Sequence, residues 1–563
     1  MNKNKSSINI PEPIRSGAFV QTFRTYTRSA SIFILSILFV IGGYAVVQIP
    51  LRQGSPDIIV YGATPAGISA ALSAGKLGKK VLILEPGNHL GGMVTSGVSV
   101  SDAYSPDLLW SMGGFAARFT HAVEDHYGQV WTLGGTRHEP HVAEEIFRAM
   151  LEAQQNVRVE FGSALREVDT RDKAIISVVT ILGKKHLAKV FVDASYDGDL
   201  MVLSGTRYVL GRESRLKYNE SLAGFMPASI KEGARVDPYR VPGDPESGLL
   251  PHIIENPLTP MGAEDMSLQA YGYRLCVTAD PANQLPIVKP DNYDPHEFEA
   301  LGRIAAGHPE LKTTFDFIGN VAIPNNKFDV NNVGIFSTDQ IEGSSEYLNK
   351  DAAGRRAIES ERKRYTMAVI HFLSTDERIP VNVRKEIGSW GLCKDEFTDT
   401  NGIPPLLYVR EGRRMIGKYV ITQHDLFGET SVPDPIGFGG FPMDQHIVHR
   451  FAHDGQIATE GILWKPLTRP YPISYRAIVP TSDQVHNLLV PVSLSASHIG
   501  FSSLRVEPTF MITGQAAGAA ASISIDTHVS VQDVDYKQLS SVLIGQGAVL
   551  SPREAPAETL VVR

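Results

Sequence analysis

The sequence predicts an α/β protein, α+β overall, in which a parallel-sheet domain is assembled from discontinuous segments around an inserted mixed α/β domain. A helix of membrane-spanning length precedes both. Three observations predict this arrangement. A strand, a small-residue turn, a helix and a second strand follow one another from Asp57 to Glu85. A buried strand and a helix of small residues return at Leu488–Val490 and Thr509–Ser524. Between them, the chain carries mixed signals, many prolines and long loops.

The elements follow in order. Asp57-Ile58-Ile59-Val60-Tyr61 is a short apolar run suited to a strand buried on both faces. Gly62 to Gly67 is the turn, and Ile68 to Leu77 has helical apolar spacing. Val81-Leu82-Ile83-Leu84 forms the second strand and closes a βαβ opening. Val157–Phe161, Ala174–Ile181 and Leu187–Val192 read as strands, with Lys184-Lys185 in a turn. One long helix, Lys350 to Ser374, stands out in the middle of the chain. The expected division is 56–105, 155–204 and 476–530 for the parallel-sheet domain, with a helical insertion at 106–154 and an inserted domain at 205–475. Residues 531–563 read as a C-terminal tail.

The chain of 563 residues is 43% hydrophobic and 20% charged, enough for more than one compact core. Its formal net charge of -8, with no basic stripe in the body, argues against nucleic-acid binding. Cys276 and Cys393 form no C-x-x-C pair, so a thiol relay is not expected; they read as two buried thiols, with a mutual disulfide the other possibility. Zinc-type Cys/His spacing is absent, and no metal is expected. Ser29 to Leu51 carries no charge and is long enough to span a bilayer. Lys3, Lys5, Arg15, Arg24 and Arg28 precede it. The positive-inside rule then makes residues 1–28 a cytoplasmic tail, 29–51 an anchor, and the body extracytoplasmic. A cleaved signal or a buried core helix are the alternatives.

The turn Gly62-Ala63-Thr64-Pro65-Ala66-Gly67, set between strand and helix, is a Rossmann-like dinucleotide fingerprint. Gly62 permits the sharp turn, Gly67 a close helix–strand approach, and the helix N-terminus suits a pyrophosphate. Thr64 stands where the middle glycine is usual. Glu85 closes the second strand at the place of a ribose-binding carboxylate. FAD is favoured over NAD by His89-Leu90-Gly91-Gly92-Met93, and by the run from Gly514 through Ala517 and Gly518 to Ala521, whose small face would let a helix end approach a flavin.

These stretches resemble FAD-dependent oxidoreductases with the glutathione-reductase-type FAD fold, in a subgroup sometimes labelled xanthan-lyase-like. The likeness also rests on Val192-Asp193-Ala194-Ser195-Tyr196-Asp197-Gly198-Asp199, Arg410-Glu411-Gly412-Arg413-Arg414 and Met443-Asp444-Gln445-His446. Tyr475-Arg476 and Ser495-Ala496-Ser497-His498, running through Arg505 to Gly518, complete it. The resemblance implies FAD contacts from Asp193, Ser497 and Arg505. Val492-Ser493 replaces the common Gly-Asp, which puts the ribityl carboxylate contact in doubt. His498 and His446 are the candidate bases, and Arg505 a candidate stabiliser of reduced flavin or a substrate carboxylate, with pairing to Glu507 as its alternative. Arg410, Arg413 and Arg414 read either as an anion-binding cluster or as a salt-bridged face. Gly437-Phe438-Gly439-Gly440 lacks a following helix, so no second nucleotide domain is expected. The implied reaction is hydride removal from a small organic or carbohydrate-derived substrate, with a separate electron acceptor. A polysaccharide lyase and a non-catalytic FAD-binding, membrane-tethered protein are the alternatives.

Overall fold

The structure, a computed structural model, describes residues 54–100, 106–130, 136–230, 235–334 and 336–552. The expected tail and anchor, 1–28 and 29–51, lie outside the described residues. Among the described residues, no helix is long and apolar enough to cross a membrane.

A five-stranded parallel sheet positions the site. Its strands are β1 (Ile58–Tyr61), β2 (Val81–Leu84), β3 (Val157–Glu160), β7 (Val190–Asp193) and β13 (Leu488–Leu489). They run in the order β13-β7-β1-β2-β3. A meander of β4 (Leu165–Arg171), β5 (Ala174–Thr180) and β6 (Lys185–Leu187) links β3 to β7, so the single strand expected over Leu187–Val192 is divided in two. Helices α1 (Pro65–Lys76), α2 (Gly114–Tyr127) and α3 (Pro140–Glu152) share a core with the sheet, and the Phe119 and Phe147 rings stack at 4.5 Å.

The inserted region has its own antiparallel sheet. Its strands are β8 (Leu275–Thr278), β9 (Gln284–Pro286), β10 (Gly319–Ile323), β11 (Lys327–Asn331) and β12 (Gly391–Cys393), ordered β9-β12-β8-β11-β10. The long helix α4 (Ala352–Thr375) is capped by Asp351, whose carboxylate accepts the Gly354 N–H at 2.8 Å. It buries Tyr365, Ala368, Val369, Phe372 and Leu373 against this second core, the apolar stripe that its sequence spacing describes.

Three expectations change. Cys276 and Cys393 are not free thiols: β8 and β12 are hydrogen-bonded neighbours, and their cysteines join in a disulfide. The boundary at 475 is misplaced, because Ile421, Ile436, Met443, Tyr471 and Ile473 pack into the core of the parallel sheet. The tail contains α7 (Tyr536–Gly545), which seats Leu539 and Leu543 in that same core. Beyond it, the Gln546 side-chain oxygen accepts from Ser73 of α1 at 2.8 Å.

Helix α5 (His498–Leu504) leads directly into α6 (Glu507–Thr527), which lies against α1. The glycines set the distance between them. A Cβ on Gly514 would lie 2.1 Å from the Ala66 carbonyl oxygen, and one on Gly518 2.0 Å from that of Ala70.

Candidate functional site

The fingerprint turn is closed by the side chains nearest to it. Gly62 has φ +94°, and a Cβ on Gly67 would lie 1.9 Å from the Gly62 carbonyl oxygen. Thr64 has an extended backbone and caps α1: its hydroxyl accepts the Gly67 N–H at 3.2 Å and donates to the Ala194 carbonyl at 2.7 Å. Pro65 follows at the first helical position, with Ala66 behind it. Threonine here is therefore a cap and a tie to the end of β7.

Glu85 organises the loop from the other side. One carboxylate oxygen accepts the Ala63 N–H and the other the Gly87 N–H, both at 2.7 Å. Burial pushes its carboxyl up, against the pull of those two donors. The Gly91 N–H reaches the Ala63 carbonyl at 2.8 Å, so the glycine pair is fastened to the same turn. Gly92 has φ +53°, and a Cβ there would lie 2.4 Å from the Tyr196 hydroxyl. That hydroxyl accepts the Met93 N–H at 2.9 Å and donates to Glu507 at 2.6 Å, joining the glycine pair to the start of α6.

The start of α6 borders a cleft lined by Tyr196, Tyr408, Gly412, Arg505, Glu507 and Phe510. Arg505 pairs with Asp444. Its guanidinium binds Asp444 Oδ2 at 2.7 Å and the Tyr408 hydroxyl at 3.1 Å. The Arg410 guanidinium stacks 4.5 Å from the Tyr408 ring centroid and pairs with Asp339 at 2.8 Å. Asp339 also meets His446 Nδ1 at 2.7 Å. Burial would raise the Asp339 carboxyl, but Arg410 and His446 outweigh it and hold it below the usual carboxylate range. Asp444 is likewise held far below that range by Arg505 and His446, against its burial.

His498 sits deeper, 1% exposed. Its Nδ1 meets Glu411 Oε1 at 2.7 Å, and its backbone N–H donates to Glu213 at 2.8 Å. Nε2 is buried without a hydrogen-bond partner, as are both amide atoms of Gln445.

Residues 57–543 match the family model described as FAD dependent oxidoreductase. The chain belongs to that family. Its cofactor is FAD. No curated protein matches the chain. GidA from Aquifex aeolicus is similar at 17% identity over 26% of this chain and 25% of that one, with a TM-score of 0.18. The p-nitrophenol 4-monooxygenase PnpA from Pseudomonas putida DLL-E4 is also similar at 17% identity, over 28% and 45%, with a TM-score of 0.20. The thioredoxin reductase of T. acidophilum is similar at 18% identity, over 25% and 35%, with a TM-score of 0.17. The matched stretch spans less than half the length of each of these solved proteins.

The oxidoreductase's own residues fit FAD at both ends of such a site. Glu85 offers an oriented carboxylate at the strand end for ribose hydroxyls, and α1 offers its capped N-terminus beside it. At the other end, the unpartnered Gln445 amide and the cleft at the start of α6 offer polar groups for a ring system.

Several residues expected to contact FAD also hold internal bonds. The Asp193 oxygens accept from Ser195 N–H and Oγ–H and from the Met201 N–H, and burial raises its carboxyl to about 6. Ser497 caps α5 and donates to Glu220 at 2.6 Å. Gly514 faces α1, and Ala517 is wholly buried in the main core, so their small size serves helix packing. Arg410, Arg413 and Arg414 form no open anion site: Arg410 and Arg414 pair with Asp339 and with Glu213 and Glu411, while Arg413 reaches Asp199 and the Leu348 carbonyl. Reasoning from sequence missed Asp339 and Tyr408, which lie in a two-residue strand and an isolated bridge too short to show periodicity or a motif. Among the described residues, one cluster has metal-ligand geometry, Glu139, His141 and Glu396. It already surrounds the Lys327 ammonium, 2.6 Å from Glu139 and 2.7 Å from Glu396.

Proposed function

We propose that the protein removes a hydride from a small organic or carbohydrate-derived substrate, as a dehydrogenase or oxidase, with His446 accepting the accompanying proton. The reading is carried by the Asp339–His446 contact of 2.7 Å, set beside the Asp444–Arg505–Tyr408 network that borders the cleft. Bound FAD supplies the two-electron acceptor. Asp339 accepts the Nδ1 hydrogen, so the ring, once it has given up its other proton, carries its lone pair at Nε2. Asp444 lies 3.5 Å from Nε2 and is claimed by Arg505, which leaves Nε2 to a substrate hydroxyl or amine. Partial exposure of His446, against the sealed position of His498, supports this choice of base. Arg505 brings positive charge to the cleft edge, where it favours an anionic group.

The body would lie outside the cytoplasm behind an anchor at 29–51. The uncharged stretch, its basic flank and the Cys276–Cys393 disulfide all support that reading.

The test is anaerobic bleaching of the bound flavin by a panel of alcohols, amines and sugars. A bleaching substrate is expected, with His446→Gln slowing bleaching by about 10²–10⁴-fold while the flavin stays bound. A panel that never bleaches the flavin, or a variant that bleaches at the parent rate, refutes the reading.

A further inference from the structure

The inserted region contains a second cleft, of about 230 Å³, lined by Ser267, His449, Arg450, His252, Glu342 and Ser345 among others. Within it Ser267 Oγ lies 3.0 Å from His449 Nε2, and His449 Nδ1 lies 2.9 Å from Glu460 Oε2. His449 and Glu460 end the two strands of a hairpin, His449–His453 and Gln456–Glu460, and stand opposite each other in its register. The contact is therefore set by backbone pairing.

The carboxylate is braced. Glu460 Oε1 accepts from Arg212 at 2.5 Å and from the Met226 N–H at 2.6 Å. Arg212 also pairs with Asp265, and Asp265 accepts the Ser267 N–H at 3.0 Å. One guanidinium thus fixes both the acid of the chain and the turn that presents the serine.

We propose that Ser267, His449 and Glu460 form a hydrolytic triad that cleaves esters of small hydroxylated molecules. The Glu460 oxygen accepts the Nδ1 hydrogen of His449, so Nε2 presents its lone pair to the Ser267 hydroxyl. Ser267 Oγ bonds to the ester carbonyl carbon as its proton passes to His449 Nε2. The C–O bond to the alcohol then breaks, and the alcohol leaves with that proton. Water, deprotonated by the same nitrogen, hydrolyses the acyl-serine and restores the hydroxyl. Arg450 lends positive potential to the cleft, while Glu342 and Ser345 supply hydrogen-bonding groups for a polyol. The two-electron chemistry at the flavin plays no part, so this proposal stands apart from that reading.

The experiment uses the full flavin-loaded chain with p-nitrophenyl acetate and an alkyl fluorophosphonate. Hydrolysis is expected, together with a covalent phosphonyl adduct mapped to Ser267 by mass spectrometry. Ser267→Ala should abolish the adduct and cut hydrolysis by about 10³-fold, and His449→Asn should cut it similarly, with the flavin spectrum unchanged in both. The spectrum reports folding. If a variant fails to fold, the position of the adduct in the parent decides. Absence of an adduct at Ser267, or undiminished hydrolysis in a folded Ser267→Ala, overturns the triad.

Discussion

The turn at Gly62–Gly67 and the polar cluster around His446 are held together in different ways. Hydrogen bonds from backbone N–H groups tie the turn to Glu85 and Gly91, all within one βαβ unit and the loop that follows it. The cluster joins Asp339, Tyr408, Arg410, Asp444, His446 and Arg505 through ion pairs between separate loops and strands. The first is local geometry, which a short sequence window contains. The second exists only once both cores have packed.

The two regions share the α1–α6 contact, and breaking it is expected to have the largest effect. In Gly518→Ala, the new Cβ would meet the Ala70 carbonyl oxygen at 2.0 Å, a backbone atom that moves only with the whole helix. Overpacking at such a contact costs about 3 kcal/mol, more than the helix-propensity gain of about 1 kcal/mol returns. Thermal unfolding should show a large fall in Tm and loss of flavin; a Tm at the parent value would mean the helices can part freely. Glu85→Ala removes the local tie alone. FAD affinity should fall by about 10–100-fold while the fold persists, since a charged acceptor and two backbone partners are lost. Unchanged FAD titration would remove Glu85 from the ribose site.

How far each region was legible follows from the same contrast. Gly62, Thr64-Pro65, Gly67 and Glu85 could be placed from spacing because their partners lie within one unit. The glycines of α6 announced a close approach but not its partner, so Gly514 was expected at the flavin and is found against α1. Asp193 and Ser497 are polar residues beside the expected cofactor path, yet neighbouring N–H and hydroxyl groups already occupy their oxygens. The Arg410–Arg414 run showed only one of its counter-charges, Glu411; the others, Asp199, Glu213 and Asp339, come from far away in the chain. The disulfide depended on β8 and β12 becoming neighbours, and no local pattern reveals that pairing.

Acid should separate the two regions further. In the flavin half, burial raises Asp193 to about 6 from an ordinary 3.8. The stability linked to its proton is thus complete below 3.8 and lost as pH rises through about 6. In the inserted half the sign reverses. Burial would raise the carboxyl of Glu297, but His252 and Arg364 hold it at about 2, against an ordinary 4.5. Its contribution is present above 4.5 and lost as pH falls through about 2. Glu297→Gln should therefore cost about 1–2 kcal/mol at neutral pH. That difference from the parent should shrink as denaturation is repeated at pH values falling below 4.5. A cost independent of pH would mean that Glu297 acts by packing and not by charge.

The smallest expected effect tests whether the threonine in the fingerprint is a cap or a tolerated replacement for glycine. Thr64 Oγ1 both accepts the Gly67 N–H and donates to the Ala194 carbonyl, so its hydroxyl serves α1 and β7 together. Thr64→Ser keeps both bonds and should match the parent. Thr64→Ala loses both and adds the penalty of a poor N-cap, about 1 kcal/mol. Thr64→Gly also loses both bonds, but glycine is a better N-cap than alanine by several tenths of a kcal/mol. The backbone at Thr64 is extended, with φ -66°, so glycine gains nothing there from its freedom at positive φ. Chemical denaturation should accordingly rank the four as Ser and Thr together, then Gly, then Ala. Should glycine instead exceed threonine in stability, the hydroxyl contributes nothing, and the position belongs to the turn's backbone and not to its side chain.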